Sequence, residues 1–182
     1  MCPVRSVTYV SGRSQLRPIA AAAPGRLSPS PRRRYRFFMS EASSPDYVVD
    51  AIAAGVDEAM IERLVHAFYA DVRKDALLGP VFDARISDWE PHLERMCAFW
   101  SSVMLRSGRY HGRPMPMHAR LPISAAHFDR WLGLFEATAR RVCGPAAGLF
   151  VARARMIAQS LELGIAMTRG LILKLDERLP AH

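Results

Sequence analysis

Apolar residues recur along most of this chain at intervals of three and four, and no stretch alternates with period two for long enough to make a strand. From Pro45 onward the pattern is helical. Asp57 is placed to cap a helix reaching about Lys74, with Ile61, Leu64, Val65, Phe68 and Val72 as its inward stripe. The run ALLGPVF (76–82) is apolar but broken by Gly79-Pro80, which predicts a short turn or 3₁₀ piece. Ser124 caps a further helix with Phe128, Trp131, Leu132, Phe135, Ala139 and Val142 inward, and Gly144-Pro145 stops it. A last helix is expected from about Ala146 to Thr168, with Phe150, Ala154, Ile157, Leu161 and Ile165 on one side. The fold class that follows is all-α.

The stretch from Trp89 to His118 stands apart. Trp89, His92, Met96, Phe99, Trp100 and Val103 fall on one face of a helix spanning about 89–106, so His92 projects from an apolar face. After the turn at 108–112, Pro114 and Pro116 forbid an ordinary helix interior, and His118 arrives on a short, stiffly led segment stopped by Pro122. Two histidines on facing elements, lined by Met, Phe and Trp, point to a flat apolar cofactor between them. A lone histidine on an apolar face is more often a core residue with one hydrogen bond, and His92 alone would be read that way. His66, His111, His127 and His182 read as surface residues or as supports behind the site.

Composition changes the picture mainly at the N-terminus. The chain has 182 residues, half of them hydrophobic, which suits one globular domain. Its net charge is +8, but residues 1–38 hold eight arginines and no acidic residue, and the remainder carries seventeen basic against seventeen acidic side chains. The domain is neutral, and its charge gives no reason to expect nucleic acid. Residues 1–45 read as a disordered basic, Pro-rich extension. Within it, residues 1–38 lack the amphipathy of a transit peptide and the apolar core of a secretory signal, and the 32–34 arginine run lacks the apolar stretch of a twin-arginine signal. The plainer reading is that Met39 is the true start. Three cysteines without CxxC or CxxCH spacing give neither a disulfide framework, nor a zinc site, nor covalent haem attachment. No run of eighteen apolar residues exists, and the expected location is cytoplasmic.

FYADVRKDALLGPVF (68–82), WEPHLERMCAFW (89–100), YHGRPMPMH (110–118) and FDRWLGLF (128–135) together resemble the motifs of group III truncated globins. The resemblance covers roughly residues 56–167. It implies a shortened globin fold, two helix pairs stacked across one another around non-covalent haem b. The globin domain is then 46–170 and the C-terminal tail 171–182. The same resemblance makes His118 the proximal iron ligand and Tyr69, His92 and Trp131 the distal residues. Phe82 matches the phenylalanine packed against the porphyrin.

The residues' chemistry is compatible with these roles. Neutral imidazole is a strong axial donor to ferrous iron, best when its other nitrogen donates to a fixed acceptor. No carboxylate neighbours His118 in sequence, so a backbone carbonyl is the expected acceptor. A phenol O–H or an indole N–H donates to dioxygen, each bond being worth roughly 0.5–3 kcal/mol. Met96, Phe99, Met117 and Phe128 are expected against the cofactor, and Arg95, Arg113 and Arg120 are candidates for its propionates. Cys97 reads as a small buried hydrophobe.

The function expected is binding of O₂, NO or other diatomic ligands for detoxification of NO or reactive oxygen and nitrogen species, including peroxide and peroxynitrite. With no reductase domain attached, turnover needs an external electron donor. The alternative is a scavenger or sensor without turnover. A helical interaction module would leave the Trp89–His118 constellation unexplained.

Overall fold

A computed structural model describes residues 46–174 and 177–181 of the chain, and the N-terminal extension of the sequence reading lies outside them. Among the described residues every regular element is helical. In chain order these are α1 (Asp46–Ala53), α2 (Glu58–Val72), α3 (Gly79–Asp83), α4 (Trp89–Leu105), α5 (Pro114–His118), α6 (Ala125–Cys143) and α7 (Ala147–Thr168). A 3₁₀ turn over Gly144–Ala146 joins the last two.

The helix starts follow from their caps. Asp57 is extended and its carboxylate accepts the Met60 N–H at 2.7 Å, which satisfies one of the free donors at the head of α2. Asp88 does the same for Glu90 at the start of α4. At α6 the Ser124 N–H donates to His127 Nδ1 at 3.2 Å, a capping box built with histidine instead of glutamate. Helix α6 ends where Gly144 turns to a φ of 52°, a conformation that side chains resist.

The two short helices differ from the sequence expectation. The 76–82 run was expected as a turn or 3₁₀ piece, yet Gly79–Asp83 closes a full helical turn. Pro80 is harmless there because it falls in the first turn, where backbone N–H groups have no helical acceptor. The same reason lets α5 form over Pro114 and Pro116, with Pro114 opening the helix.

Helix α2 packs on α4 and α6, α6 packs on α7, α1 lies on α4, and α5 rests on α7. Ile61, Leu64, Val65, Phe68, Tyr69 and Val72 of α2 are buried, joined by Trp100 and Met104 of α4 and Phe135 and Phe150 of the second pair. Each such side chain contributes about 1.5–3 kcal/mol by leaving water. Trp131 and Val142 of the expected α6 stripe are only partly buried, while Thr138 and Cys143 are buried fully. A second apolar cluster holds Ile123, Phe128, Ala158, Ile165, Ala166 and Leu179.

The segment after α7 is tied back onto the helices. Leu179 is 1% exposed, and its N–H and C=O bond Glu162 and Ala125 at 2.8 and 2.9 Å. Beside it Arg178 donates twice to Glu162 and once to Asp129. No described helix is long and apolar enough to cross a membrane.

Candidate functional site

Helix α4 divides the work of its apolar residues. Trp100, Ser101 and Met104 are buried in the core, whereas Trp89, His92, Met96, Phe99 and Val103 are only partly buried. The sequence grouped most of these on one face, and the partly buried Trp89, Met96, Phe99 and Val103 pack against the edge of the core. Phe99 and Val103 line a groove of about 610 Å³ with residues 112–116 and with Met156, Ile157, Ser160 and Leu161 of α7. Among the described residues, Arg113 and Ser160 supply the groove's only polar side chains; the rest of its described lining is apolar or glycine.

At one end of α4 stands an aromatic cluster. Tyr69, 6% exposed, meets Phe82 at 5.8 Å and Trp89 at 6.1 Å between ring centroids. Its closest ring in this cluster is His92, edge to face at 5.0 Å. Burial pushes the Tyr69 pKa upward, so the phenol keeps its proton at neutral pH. Burial also pushes His92 down to about 4, helped by the nearby charge of Arg95. His92 is therefore neutral, and its Nε2 is buried with no hydrogen-bond partner among the described residues. Such an atom is costly unless something else meets it. Trp131 lies one ring away, stacked on Phe135 at 5.3 Å and edge-on to Phe68, which itself touches Tyr69.

In α5, whose Pro114, Met115 and Pro116 line the groove, His118 Nδ1 is 2.7 Å from Pro114 O. A carbonyl only accepts, so Nδ1 carries the hydrogen and Nε2 keeps a free lone pair. The expected backbone partner is thus present. A polar clamp fixes the chain between α4 and α5. Ser101, fully buried, donates to Glu58 at 2.5 Å and lies 2.6 Å from Ser107, while Arg109 pairs with Glu58 at 2.7 Å. Ser102 accepts the Tyr110 N–H at 2.9 Å. None of this network was legible in the sequence, where its serines look like ordinary helix and loop polar residues.

A family model described as bacterial-like globin matches residues 48–147. The chain is 33% identical over 113 residues to the group 3 truncated hemoglobin ctb of Campylobacter jejuni, covering 89% of that protein and 59% of its own length. The chain belongs to the bacterial-like globins, among their group 3 truncated haemoglobins. The crystal structure of the group III truncated hemoglobin from Campylobacter jejuni superposes with a TM-score of 0.56 at 32% identity, over 64% of this chain and 92% of the other. A hemoglobin from Chloroflexus aurantiacus is 29% identical over 57% of this chain and 89% of its own, with a TM-score of 0.48.

As a globin the protein binds haem and, through it, diatomic ligands such as O₂. Its residues fit that group. Among the described residues no three His, Cys, Asp or Glu side chains gather as they would around a bare metal ion. A porphyrin brings its own equatorial nitrogens and asks the protein for one axial donor, a long apolar slot and cations at the rim. The oriented His118, the apolar groove beside α4 and Arg113 in its lining would serve those needs, and the unpartnered His92 Nε2 leaves a polar atom for a ligand to meet.

The sequence-chosen contacts of this globin distribute unevenly. Phe82 and Met96 pack beside the Tyr69 cluster and its helix, and Phe99 lines the groove. Met117 does not line it: the side chain is 75% exposed, and Met115 takes the place in the wall. In a helix Met115 lies one turn before His118 and shares its side, while Met117 points about 100° away. Phe128 is buried in the second cluster rather than in the groove. Of the arginines, Arg113 lines the groove, Arg95 is exposed one turn from His92, and Arg120 lines a separate cavity with Arg169. His66 and His111 are exposed, and His182 lies outside the described residues. Cys97 packs against the core, and burial raises its thiol pKa.

Proposed function

We propose that this globin holds haem b non-covalently through His118 Nε2. In the cytoplasm it would handle NO and reactive oxygen and nitrogen species, recharged by an external electron donor. The observation that carries the reading is the His118 Nδ1–Pro114 O bond, which leaves Nε2 as the free donor. The absence of any CxxCH motif in the sequence favours the non-covalent form. When bound, haem supplies an iron that takes a diatomic ligand and exchanges electrons.

The protein's own residues do the rest. Partner choice at Nδ1 sets the basicity of His118, and a neutral carbonyl gives less electron donation than a carboxylate would. Tyr69 keeps its phenolic proton because it is buried, so it can only act as a neutral donor to a ligand near His92. Neutral, half-buried His92 acts as a movable gate with an unmet nitrogen. Trp131 provides a further N–H behind Phe68. Arg113, which lines the groove, would meet the propionates there. Tight holding of O₂ by such donors argues against transport and for reaction where the ligand is held.

The test is to mix the oxygenated ferrous protein with NO in the presence of a low-potential reductant and to measure nitrate. Several nitrates per haem support turnover. One nitrate per haem, with no recharging, makes the protein a scavenger or sensor instead.

A further inference from the structure

Helix α5 is a single turn with no fully buried residue, too short to hold its own place. What seats it is a contact with α7. Gly164 lies seven residues after Ile157, on the same side of α7 as Ile157, Ser160 and Leu161, which line the groove. At this glycine a β-carbon would stand 2.7 Å from Met115 Sδ, and nearer still to Met115 Cε. Carbon–carbon contacts sit at about 3.5–4.0 Å, so the thioether occupies the space any side chain would need. The backbone of α7 is therefore notched at Gly164, and Met115 fills the notch.

We propose that Gly164 and Met115 form a seat that sets the reach of His118, so that both are positioning residues for the axial nitrogen. The link is short. Met115 O accepts the Ala119 N–H at 2.9 Å, and Pro114 O fixes the His118 ring. Met115 and His118 stand one turn apart on one side of α5, so lifting the first tilts the second. Met115 also touches the second cluster and the groove wall, so its thioether has one well-filled place to be. The clashing atoms are the far end of a flexible side chain. A β-carbon at 164 therefore displaces Met115 toward the groove with little damage to the fold, and the damage falls on the site.

The proposal rests on His118 being the axial ligand, and the experiment separates the two claims. Ferrous haem-loaded Gly164→Ala, Met115→Ala, the double variant and His118→Ala are compared by the iron–histidine stretching band and by the rate of haem transfer to an apoglobin acceptor. Each of the two seat variants should shift the band and speed haem loss by about fivefold, and the double variant should lie closer to wild type than either. Helix content should stay at the wild-type level. Effects that simply add in the double variant, or a Gly164→Ala protein with the wild-type band and rate, overturn the seat. If Gly164→Ala fails to fold, recovery in the double variant supports the seat and failure of both overturns it. Should His118→Ala keep the band, the ligand assignment falls and the seat with it; loss of the band there with an unchanged Gly164→Ala protein removes the seat alone.

Discussion

Tyr69 and His92 meet edge to face, their ring centroids 5.0 Å apart and their planes at 90°. The pairing joins two helices: Tyr69 is buried near the end of α2, and His92 stands in the first turn of α4. Burial keeps the phenol protonated beside an imidazole that is neutral and whose Nε2 lacks a partner among the described residues. Both groups are thus uncharged at neutral pH, and the proposed control of the ligand rests on that.

Replacing Tyr69 by Phe, or Trp131 by Phe, should speed O₂ dissociation about tenfold each, given ~1.4 kcal/mol per donor. The double change should be less than additive if the two donors substitute for one another. His92→Leu should alter ligand entry more than release. Stopped-flow measurement of the three rates checks this, and unchanged release in both the Tyr69 and Trp131 variants would reduce them to packing.

Leu179→Ala should destabilise the fold by about 2–5 kcal/mol, because a fully buried side chain in the second cluster is removed. Urea unfolding reads this directly. A midpoint equal to wild type would mean that the C-terminal strap does not hold the cluster closed.

The helices were legible because their signals are local. Asp57 and Ser124 are caps followed by apolar stripes, and Gly144-Pro145 is a stop that few helices pass. Phe68, Phe135 and Phe150 were readable as core from spacing alone. Other features depend on what meets what across the fold. Met115 and Met117 look alike in PMPMH, and only the phase of a one-turn helix sends the first inward. Leu179 carries no periodic signal, since its burial comes from the Glu162–Arg178–Asp129 bonds around it. Pro114 and Pro116 read as breakers because a sequence does not show whether a proline falls in a first turn. Which arginine reaches the groove was equally hidden, and Arg113 is set there by the loop that Ser101, Ser107 and Glu58 clamp.

Asp75 offers a pH test of the fold around α3. Burial alone would raise its pKa, but the Leu78 and Leu77 N–H groups and Arg130 outweigh burial and hold it below 3.8. A carboxyl lowered in this way adds stability above pH 3.8 that is lost as pH falls through its folded value. Asp75→Ala should cost about 2 kcal/mol near neutrality, since bonds to a charged acceptor are removed. The gap from wild type should narrow below pH 3.8. Thermal melts across pH 2.5–7 decide it (~2.5 and ~7 as convenient limits). A constant gap over that range would show that the charge on Asp75 contributes nothing.

The most direct measurement is the absorption spectrum of His118→Ala reconstituted with haem, taken with and without imidazole. The account predicts an altered Soret band and iron spin state without imidazole, and a return toward wild type when imidazole fills the place of the missing ring. A His118→Ala protein with the wild-type band and spin state, and no added imidazole, would contradict it.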